Sequence, residues 1–359
     1  MRQLADYCEH HQSWLLETIE ALVTIESPTD DKAAVDRCGT ELTRRLRDLG
    51  GQVLSMRAST AGDHVRAEFG SGSRQILLLG HFDTVWPVGQ LASMPLTRDG
   101  DRLQGPGILD MKAGIALGML ATRALFAVAP PADARIVMLW TTDEETGSRT
   151  SRALLETEAR KSEAVLVLEP ALPGGVLKTR RKGCGQYEIV VQGEAAHAGV
   201  DPGKGISAIR ELARQILFVE TLQDLTRGVS VNVGVVSGGT RPNVVAPKAR
   251  ALVDVRAPSK AEADRVDAAM RALTPHLSGA RIVVDGGFER PPMERTEGVA
   301  RLYALAQEAG AALGVPTLDG LGALGDGAHA LTEHVLISAL APRAALLAAL
   351  LSRLTLSSH

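Results

Sequence analysis

Residues 77–86 read LLLGHFDTVW, and this stretch decides the fold. Its apolar first half is typical of a strand buried inside a sheet, and the strand ends, after one glycine, at His81 and Asp83. Side chains two positions apart on an extended chain lie on the same side of it. In open α/β sheets, ligands bind beyond the carboxyl ends of the strands. The stretch therefore predicts a strand of such a sheet, with a ligand-binding edge.

The sequence around this stretch alternates between strand and helix patterns. Short apolar runs at 76–79, 135–140 and 164–168 predict strands, and the segments 113–128 and 151–160 between them have helical periodicity. A βαβ alternation of this kind is typical of a mostly parallel sheet flanked by helices. We therefore expect an α/β domain.

A different pattern begins near residue 178. Strand patterns at 187–191, 230–236 and 251–256 are interleaved with helix patterns at 205–220 and 261–277, which predicts an α+β unit of ferredoxin-like type. The chain then returns to a helix at 298–313 and a strand at 315–321. We therefore expect residues 178–290 to be inserted between two parts of one domain, 1–177 and 291–359.

The composition excludes several classes of protein. The chain has 359 residues, 45% of them hydrophobic and 23% charged, and its formal net charge is −3, which argues against nucleic-acid binding. Its three cysteines lack the spacing of a disulfide framework or a thiolate zinc site. The N-terminus lacks the apolar core of a secretory signal, and we expect no later apolar run to reach the ~20 residues of a membrane span. We expect a cytoplasmic protein without a membrane partner.

Polar residues with the chemistry of metal ligands follow several of the predicted strands. They are His81 and Asp83, the run Asp143-Glu144-Glu145, Glu169, His329, and Asp110 in a glycine-rich loop before a helix. Taken alone, each is more often a cap, a turn residue or a surface charge. Together on one rim, the carboxylates would repel one another unless cations neutralised them. The rim therefore predicts a metal site.

The types of side chain narrow the choice of metal. Imidazole and carboxylate without thiolate suit zinc, with cobalt or manganese as substitutes. With two histidines and three carboxylates available as ligands, we expect a pair of ions ~3.5–4 Å apart that one carboxylate bridges. In an extended segment Glu144 and Glu145 would point to opposite sides, so one would bind metal and the other would act as a general base. Asp83 is placed to hydrogen-bond the ring nitrogen of His81 that the metal leaves free.

A series of motifs in this chain resembles one known family. In order along the chain they are HFDTV, GPGILDMKAG, TDEETGS, LEP, GEAAHAG followed by DPGKG, GGTRPNVV, DVRAPS and GDGAH, and the match extends from about residue 10 to about residue 345. Together they resemble the co-catalytic zinc peptidases and deacylases that include carboxypeptidase G, acetylornithine deacetylase, succinyl-diaminopimelate desuccinylase and aminoacylase. The carboxypeptidase G branch, that of the glutamate carboxypeptidases, is the most similar. The resemblance implies a zinc exopeptidase-like catalytic domain with an inserted dimerisation domain.

The resemblance also implies a site of two Zn2+ ions per chain. His81 and Glu169 would bind one ion, Glu145 and His329 the other, and Asp110 would bridge them. The peptide bond after Asp110 is cis in the family.

Further roles follow from the same resemblance. Glu144 would be the general base, Asp83 the partner of His81, and His197 a residue that reaches the active site of the other subunit. The residues implied to bind the carboxylate of the substrate are Asn243, Arg256 and Arg290. The expected activity is cleavage of a peptide or N-acyl amide bond next to a free carboxylate, in a homodimer formed through the insert. Small peptides and N-acyl amino acids are the expected substrates.

The chain departs from the family at one place. Relatives carry a strand, a GGxSDG turn and a further helix before the last metal histidine, and here residues 298–313 run directly into GVPTLDGLG. About twenty residues are missing, or ~30 Å of chain if helical. The alternative to an active enzyme is therefore a non-catalytic or impaired metal-binding relative that has lost a strand-helix unit.

Overall fold

The structure, a computed structural model, describes residues 1–172, 175–312 and 320–356. The chain forms two compact units. The first, Met1–Lys178 with Glu297–His359, corresponds to the expected catalytic domain and is called the catalytic unit below, and the second, Thr179–Thr296, is called the insert. The second unit ends later than the predicted insert, residues 178–290. The reason is that the chain after the last insert strand pairs back on its beginning, through two backbone hydrogen bonds between Arg181 and Met293.

Within the described residues, the first part of the catalytic unit contains five α-helices and seven strands. In chain order they are α1 (Arg2–His10), α2 (Gln12–Val23), α3 (Lys32–Asp48), β1 (Gln52–Met56), β2 (His64–Phe69), β3 (Arg74–His81), β4 (Thr97–Asp99), β5 (Arg102–Gln104), α4 (Ala113–Val128), β6 (Ala134–Thr141), α5 (Arg152–Arg160) and β7 (Ala164–Val167). Five of the strands form a sheet in the order β1-β2-β6-β3-β7. The predicted parallel arrangement is present in β6, β3 and β7, whereas β1 and β2 are antiparallel to their neighbours. The α/β class is confirmed, with a mixed sheet.

The insert is a four-stranded antiparallel sheet with two helices. Its elements are β8 (Gly183–Gln192), α6 (Ala208–Glu220), β9 (Ser230–Gly238), β10 (Lys248–Ala257), α7 (Lys260–Arg271) and β11 (Arg281–Arg290). The strand order is β11-β8-β10-β9, and alternate residues of β8 and β10 are buried. This alternation is what a sheet covered by helices on one face requires. The α+β prediction is confirmed.

The last part of the chain completes the catalytic unit. It contains α8 (Glu297–Ala312), β12 (Gly325–Asp326), β13 (His334–Leu336) and α9 (Ile337–Leu356), and β12 and β13 form a small sheet with β5 and β4. Of the predicted strand at 315–321, residues 315–319 lie outside the described residues. Among the described residues, β7 is an edge strand of the main sheet, and its Val167 is exposed.

Two apolar helical segments lie in the core of the catalytic unit. Ile108–Val128 and Ile337–Leu356 are long and apolar enough to cross a membrane by length and composition, so the expectation that no run reaches this length was wrong. In the most apolar stretch of 18 residues in each segment, 78% is buried inside the protein. Burial of this extent is typical of a core helix.

Candidate metal centre

Three neighbouring strands bring the predicted ligands to one edge of the sheet. His81 is the last residue of β3, Glu145 lies in a short turn after β6, and Glu169 follows β7. Because β3 is parallel to both neighbours, the carboxyl ends of all three strands point the same way. The rule for open α/β sheets therefore applies to these residues.

His81 is almost completely buried, at 1% exposure, and its two ring nitrogens face different groups. Nδ1 lies 3.0 Å from the backbone oxygen of Asp83 and 3.3 Å from its Oδ1. Nε2 lies 3.1 Å from Asp110 Oδ1 and 3.8 Å from Glu169 Oε1. Asp83 thus orients the ring through its main chain as well as its carboxylate, and Nε2 is directed at two carboxylates.

Asp110 contributes one oxygen to each half of the centre. Its Oδ1 faces His81, and its Oδ2 lies 3.2 Å from His329 Nε2, which is also 3.2 Å from Glu145 Oε1. Potential ligand atoms form two groups within 4.8 Å, one of His81, Asp110 and Glu169 and one of Asp110, Glu145 and His329. Two groups that share a carboxylate are the arrangement that a bridged pair of cations needs.

The backbone around Asp110 is irregular. Residues Ile108–Lys112 form a distorted turn before α4, and the bond Asp110–Met111 is cis, which confirms the expectation from the family. The Glu333 carboxylate accepts hydrogen bonds from the N–H groups of Leu109 and Asp110, at 2.9 and 3.1 Å. Sequence reasoning noticed the segment Leu331-Thr332-Glu333 after His329 as unusual but gave Glu333 no role.

Asp83 is fully buried and joins the two halves of the centre. Its carboxylate accepts from the Thr29 hydroxyl at 2.8 Å and from the N–H groups of Glu144 and Glu145 at 3.4 and 3.3 Å. Glu144 and Glu145 lie in a one-turn helix, Glu144–Thr146, so the assumption of an extended segment was wrong. Only Glu145 belongs to a potential ligand group.

The protonation of the centre reflects its crowding with carboxylates. Burial acts to lower the pKa of His81, but hydrogen bonds to Asp110 and Asp83 outweigh it and hold that pKa well above its usual value. Burial raises the pKa of Glu145 to about 7. Burial acts to raise the pKa of Asp110, and the hydrogen bond from His81 outweighs it, so that pKa is lowered. Without a cation, protons neutralise part of the centre.

His197 and Asn243 lie next to each other in the insert. Nδ1 of His197 accepts from the N–H groups of Gly199 and Val200, both at 3.2 Å, so we assign the ring proton to Nε2. The Asn243 carbonyl accepts from Ala198 N at 3.0 Å. Both His197 and Asn243 are exposed, so Nε2 of His197 is available as a donor.

Arg256 and Arg290 form a second group in the insert. Both pair in register with Cys184 of β8, from the strands on its two sides. The Arg256 guanidinium donates to both carboxylate oxygens of Asp254 at 2.9 Å and contacts the Cys184 sulfur. The predicted substrate residues of the insert therefore form two local groups, His197 with Asn243 and Arg256 with Arg290.

Comparisons with known proteins find peptidase family models that match a segment of each of the two units. Residues 179–279 match the model of a peptidase dimerisation domain, and residues 64–180 match that of peptidase family M28. Carboxypeptidase G2 from Pseudomonas sp. (strain RS-16) is 30% identical over 366 residues, which cover 92% of this chain and 87% of that protein.

Solved structures share the fold over almost the whole chain. Aminopeptidase PepT from Bacillus cereus has a TM-score of 0.77 at 21% identity, covering 95% of this chain and 98% of that chain. YXEP from Bacillus subtilis, described as a dinuclear metal-binding peptidase of the M20 family, has a TM-score of 0.68 at 14% identity, covering 98% and 99%.

Proposed function

Because this chain belongs to the M20 metallopeptidase family, with carboxypeptidase G2, and is therefore a hydrolase, we propose that it is a two-zinc carboxypeptidase or aminoacylase. Its reaction would be cleavage of a peptide or N-acyl amide bond next to a free carboxylate. The observation that carries the proposal is the pair of ligand groups that share Asp110.

The donor atoms fit zinc. Imidazole nitrogens and carboxylate oxygens without thiolate suit Zn2+, with Co2+ or Mn2+ as substitutes. His81 and Glu169 would hold one ion, Glu145 and His329 the other, and Asp110 both. When bound, such ions polarise the scissile carbonyl and lower the pKa of a water molecule toward neutrality.

Glu144 is the residue we propose to move protons. Its carboxylate would take the proton of the attacking water and return it to the leaving amine. What supports this role is its place beside the potential ligand Glu145, on a turn whose N–H groups are held by the buried Asp83 carboxylate.

We propose that the insert supplies groups for the substrate. The exposed Nε2–H of His197 would donate to the carbonyl oxygen as negative charge develops on it. Asn243, Arg256 and Arg290 would bind the free carboxylate of a small peptide or N-acyl amino acid. Arg256 would have to exchange its bidentate contact with Asp254 for one with the substrate, or share it.

We further propose a homodimer formed through the insert. The match to a dimerisation-domain model supports it. Within the described residues, β9 is an edge strand with exposed Val235 and Val236, and α6 exposes Ile209 and Phe218. An exposed apolar edge strand is a surface on which a second chain can pair.

Two neighbouring variants test the assignment. Glu144→Gln should keep two zinc equivalents per chain, because the proposed base is not a ligand. The same variant should lower turnover by about 10²–10⁴-fold, because an amide cannot take the proton of the attacking water. Glu145→Gln should lose one equivalent. Metal analysis and hydrolysis of N-acyl amino acids measure both, and Glu156→Gln, on an exposed face of α5, is the control.

Three outcomes would contradict the proposal. Loss of zinc in Glu144→Gln with retention in Glu145→Gln would mean that the two roles are exchanged. Equal hydrolysis of a substrate and of its carboxamide would exclude recognition of a free carboxylate. Two bound zinc equivalents with no hydrolysis of any peptide or acyl amide would indicate the impaired relative.

A further inference from the structure

A buried carboxylate lies behind the candidate metal centre. Glu333 is 0% exposed, and each of its two carboxylate oxygens accepts two hydrogen bonds. Oε1 accepts from the N–H groups of Leu109 and Asp110 at 2.9 and 3.1 Å. Oε2 accepts from Gly107 N at 3.1 Å and from the indole N–H of Trp86 at 2.8 Å. Three of these four donors belong to the loop that carries Asp110.

Three N–H groups of that loop, those of Gly107, Leu109 and Asp110, bond to Glu333 and not to a helix or a sheet. Gly107 has φ +68°, and Asp110 and Met111 have non-helical backbone angles inside the turn before α4. The N–H groups that donate to Glu333 therefore lack the carbonyl partners that a helix or a sheet would provide. Leaving a buried N–H without a partner is costly. The conformation of the loop thus depends on an acceptor at the position of the Glu333 carboxylate.

Glu333 also connects the other segments of the centre. Its own N–H donates to the carbonyl of Ala330, next to His329, and its carbonyl accepts from Gly105 N. Trp86 ends the stretch that begins with His81. One residue is thus bonded to the segments that contain His81, Asp110 and His329.

We propose that Glu333 is a positioning residue that fixes the main chain of Asp110, and with it the carboxylate shared by both ligand groups. The inference rests on the proposed metal centre. Asp83 acts on the side chain of His81, whereas Glu333 acts on the main chain of Asp110, whose N–H it accepts. Its loss would move the bridging ligand and weaken both ion sites together. Supporting groups of this kind typically change metal affinity by 10–100-fold.

The test uses a variant of nearly the same size and a matched control. In Glu333→Gln an amide NH2 replaces one oxygen, so two of the four donors lose their acceptor. Glu211→Gln is the control, because Glu211 is also 0% exposed and accepts from the N–H groups of His276 and Leu277, but lies in the insert. Glu333→Ala provides a second variant that removes both oxygens.

Two measurements follow each variant. Amide hydrogen exchange in the metal-free protein should become at least about tenfold faster in residues 105–112 of both Glu333 variants, while the same residues are unchanged in Glu211→Gln. Zinc affinity, measured by chelator competition, should fall by about 10–100-fold for both equivalents.

Two results would overturn the proposal. One is exchange in residues 105–112 that matches the Glu211→Gln control, and the other is equal loss of protection throughout the catalytic unit, which would make Glu333 a general core residue. The exchange measurement needs neither zinc nor turnover. Absence of zinc binding in the unaltered protein would therefore refute the proposed function and still leave the role of Glu333 decided by exchange.

Discussion

Replacing Asp83 by alanine removes one acceptor that serves both halves of the metal centre. The carboxylate is fully buried, accepts from the Thr29 hydroxyl, and holds the N–H groups of Glu144 and Glu145. Its Oδ1 also lies 3.3 Å from His81 Nδ1. A single substitution therefore changes the support of two ligands and of the proposed base.

The size of the effect can be worked out from these contacts. The Thr29 hydroxyl already lies 3.4 Å from the carbonyl of Thr84 and can rotate to it, so it costs little. The N–H groups of Glu144 and Glu145 lose their acceptor, and an unsatisfied N–H costs ~1–3 kcal/mol of stability. Because their hydrogen bonds to Asp83 are long, at 3.4 and 3.3 Å, we expect a cost in the lower half of that range for each. We expect the free energy of unfolding to fall by about 2–4 kcal/mol.

The two ion sites should respond unequally. His81 keeps its hydrogen bond to the backbone oxygen of residue 83 at 3.0 Å, which alanine preserves. The turn with Glu145 loses its anchor. Zinc affinity should therefore fall by about 10–100-fold at the Glu145 and His329 site, and by less at the His81 and Glu169 site.

Urea unfolding of the metal-free protein and stepwise zinc titration measure these effects. Glu158→Ala is the control, since Glu158 is a buried carboxylate that accepts from Gln75 and Lys161 in the same unit, away from the centre. Equal loss of affinity at both sites, or the same loss in Glu158→Ala, would refute the reasoning.

The other predictions concern pH and assembly. The metal-free protein should lose stability as pH rises from about 4.5 through about 7, because the pKa of Glu145 is raised and the folded state holds a proton that the unfolded state releases. His81 adds to this loss above pH ~6.5, because its raised pKa stabilises the folded state fully below that pH and progressively less as pH rises toward the raised value. Urea unfolding at several pH values measures both effects. Zinc binding at pH 7 should release protons from the same two groups, with calorimetry in buffers of different ionisation enthalpy as the measurement; release of none would contradict the assignment of ligands. A mixed dimer of inactive His197→Ala and Glu144→Ala chains should recover part of the activity in a turnover assay, and no recovery in verified mixed dimers would exclude a shared site.

The sequence predicted those parts of the site that depend on local pattern. The apolar run before His81, and the rule that ligands bind beyond strand ends, placed His81, Glu145 and Glu169 on one edge. The spacing of His81 and Asp83 predicted their contact. Each of these inferences needs only the period of a strand and the direction of parallel neighbours.

The parts that were missed depend on contacts between distant residues. Glu333 hydrogen-bonds groups more than 220 positions away in the sequence, and no local pattern records such a contact. The antiparallel pairing of β1 and β2 follows from the path of the chain, which strand periodicity does not encode. Alternation was assumed for Glu144 and Glu145, but the strand has ended there, and a turn replaces the extended period.

The two histidines of the centre differ greatly in their access to solvent. The side chain of His81 is 2% exposed, whereas that of His329 is 48% exposed and lies on a turn where the φ of His329 is +61°. Ligand exchange at a metal needs an entering molecule, so the proposed ion beside His329 would leave first when a chelator is added. The ion beside His81 would remain for longer, in a half-loaded state. Under the proposed two-ion centre, a brief shortage of zinc would therefore produce a chain that keeps one ion and needs only one more to be fully loaded.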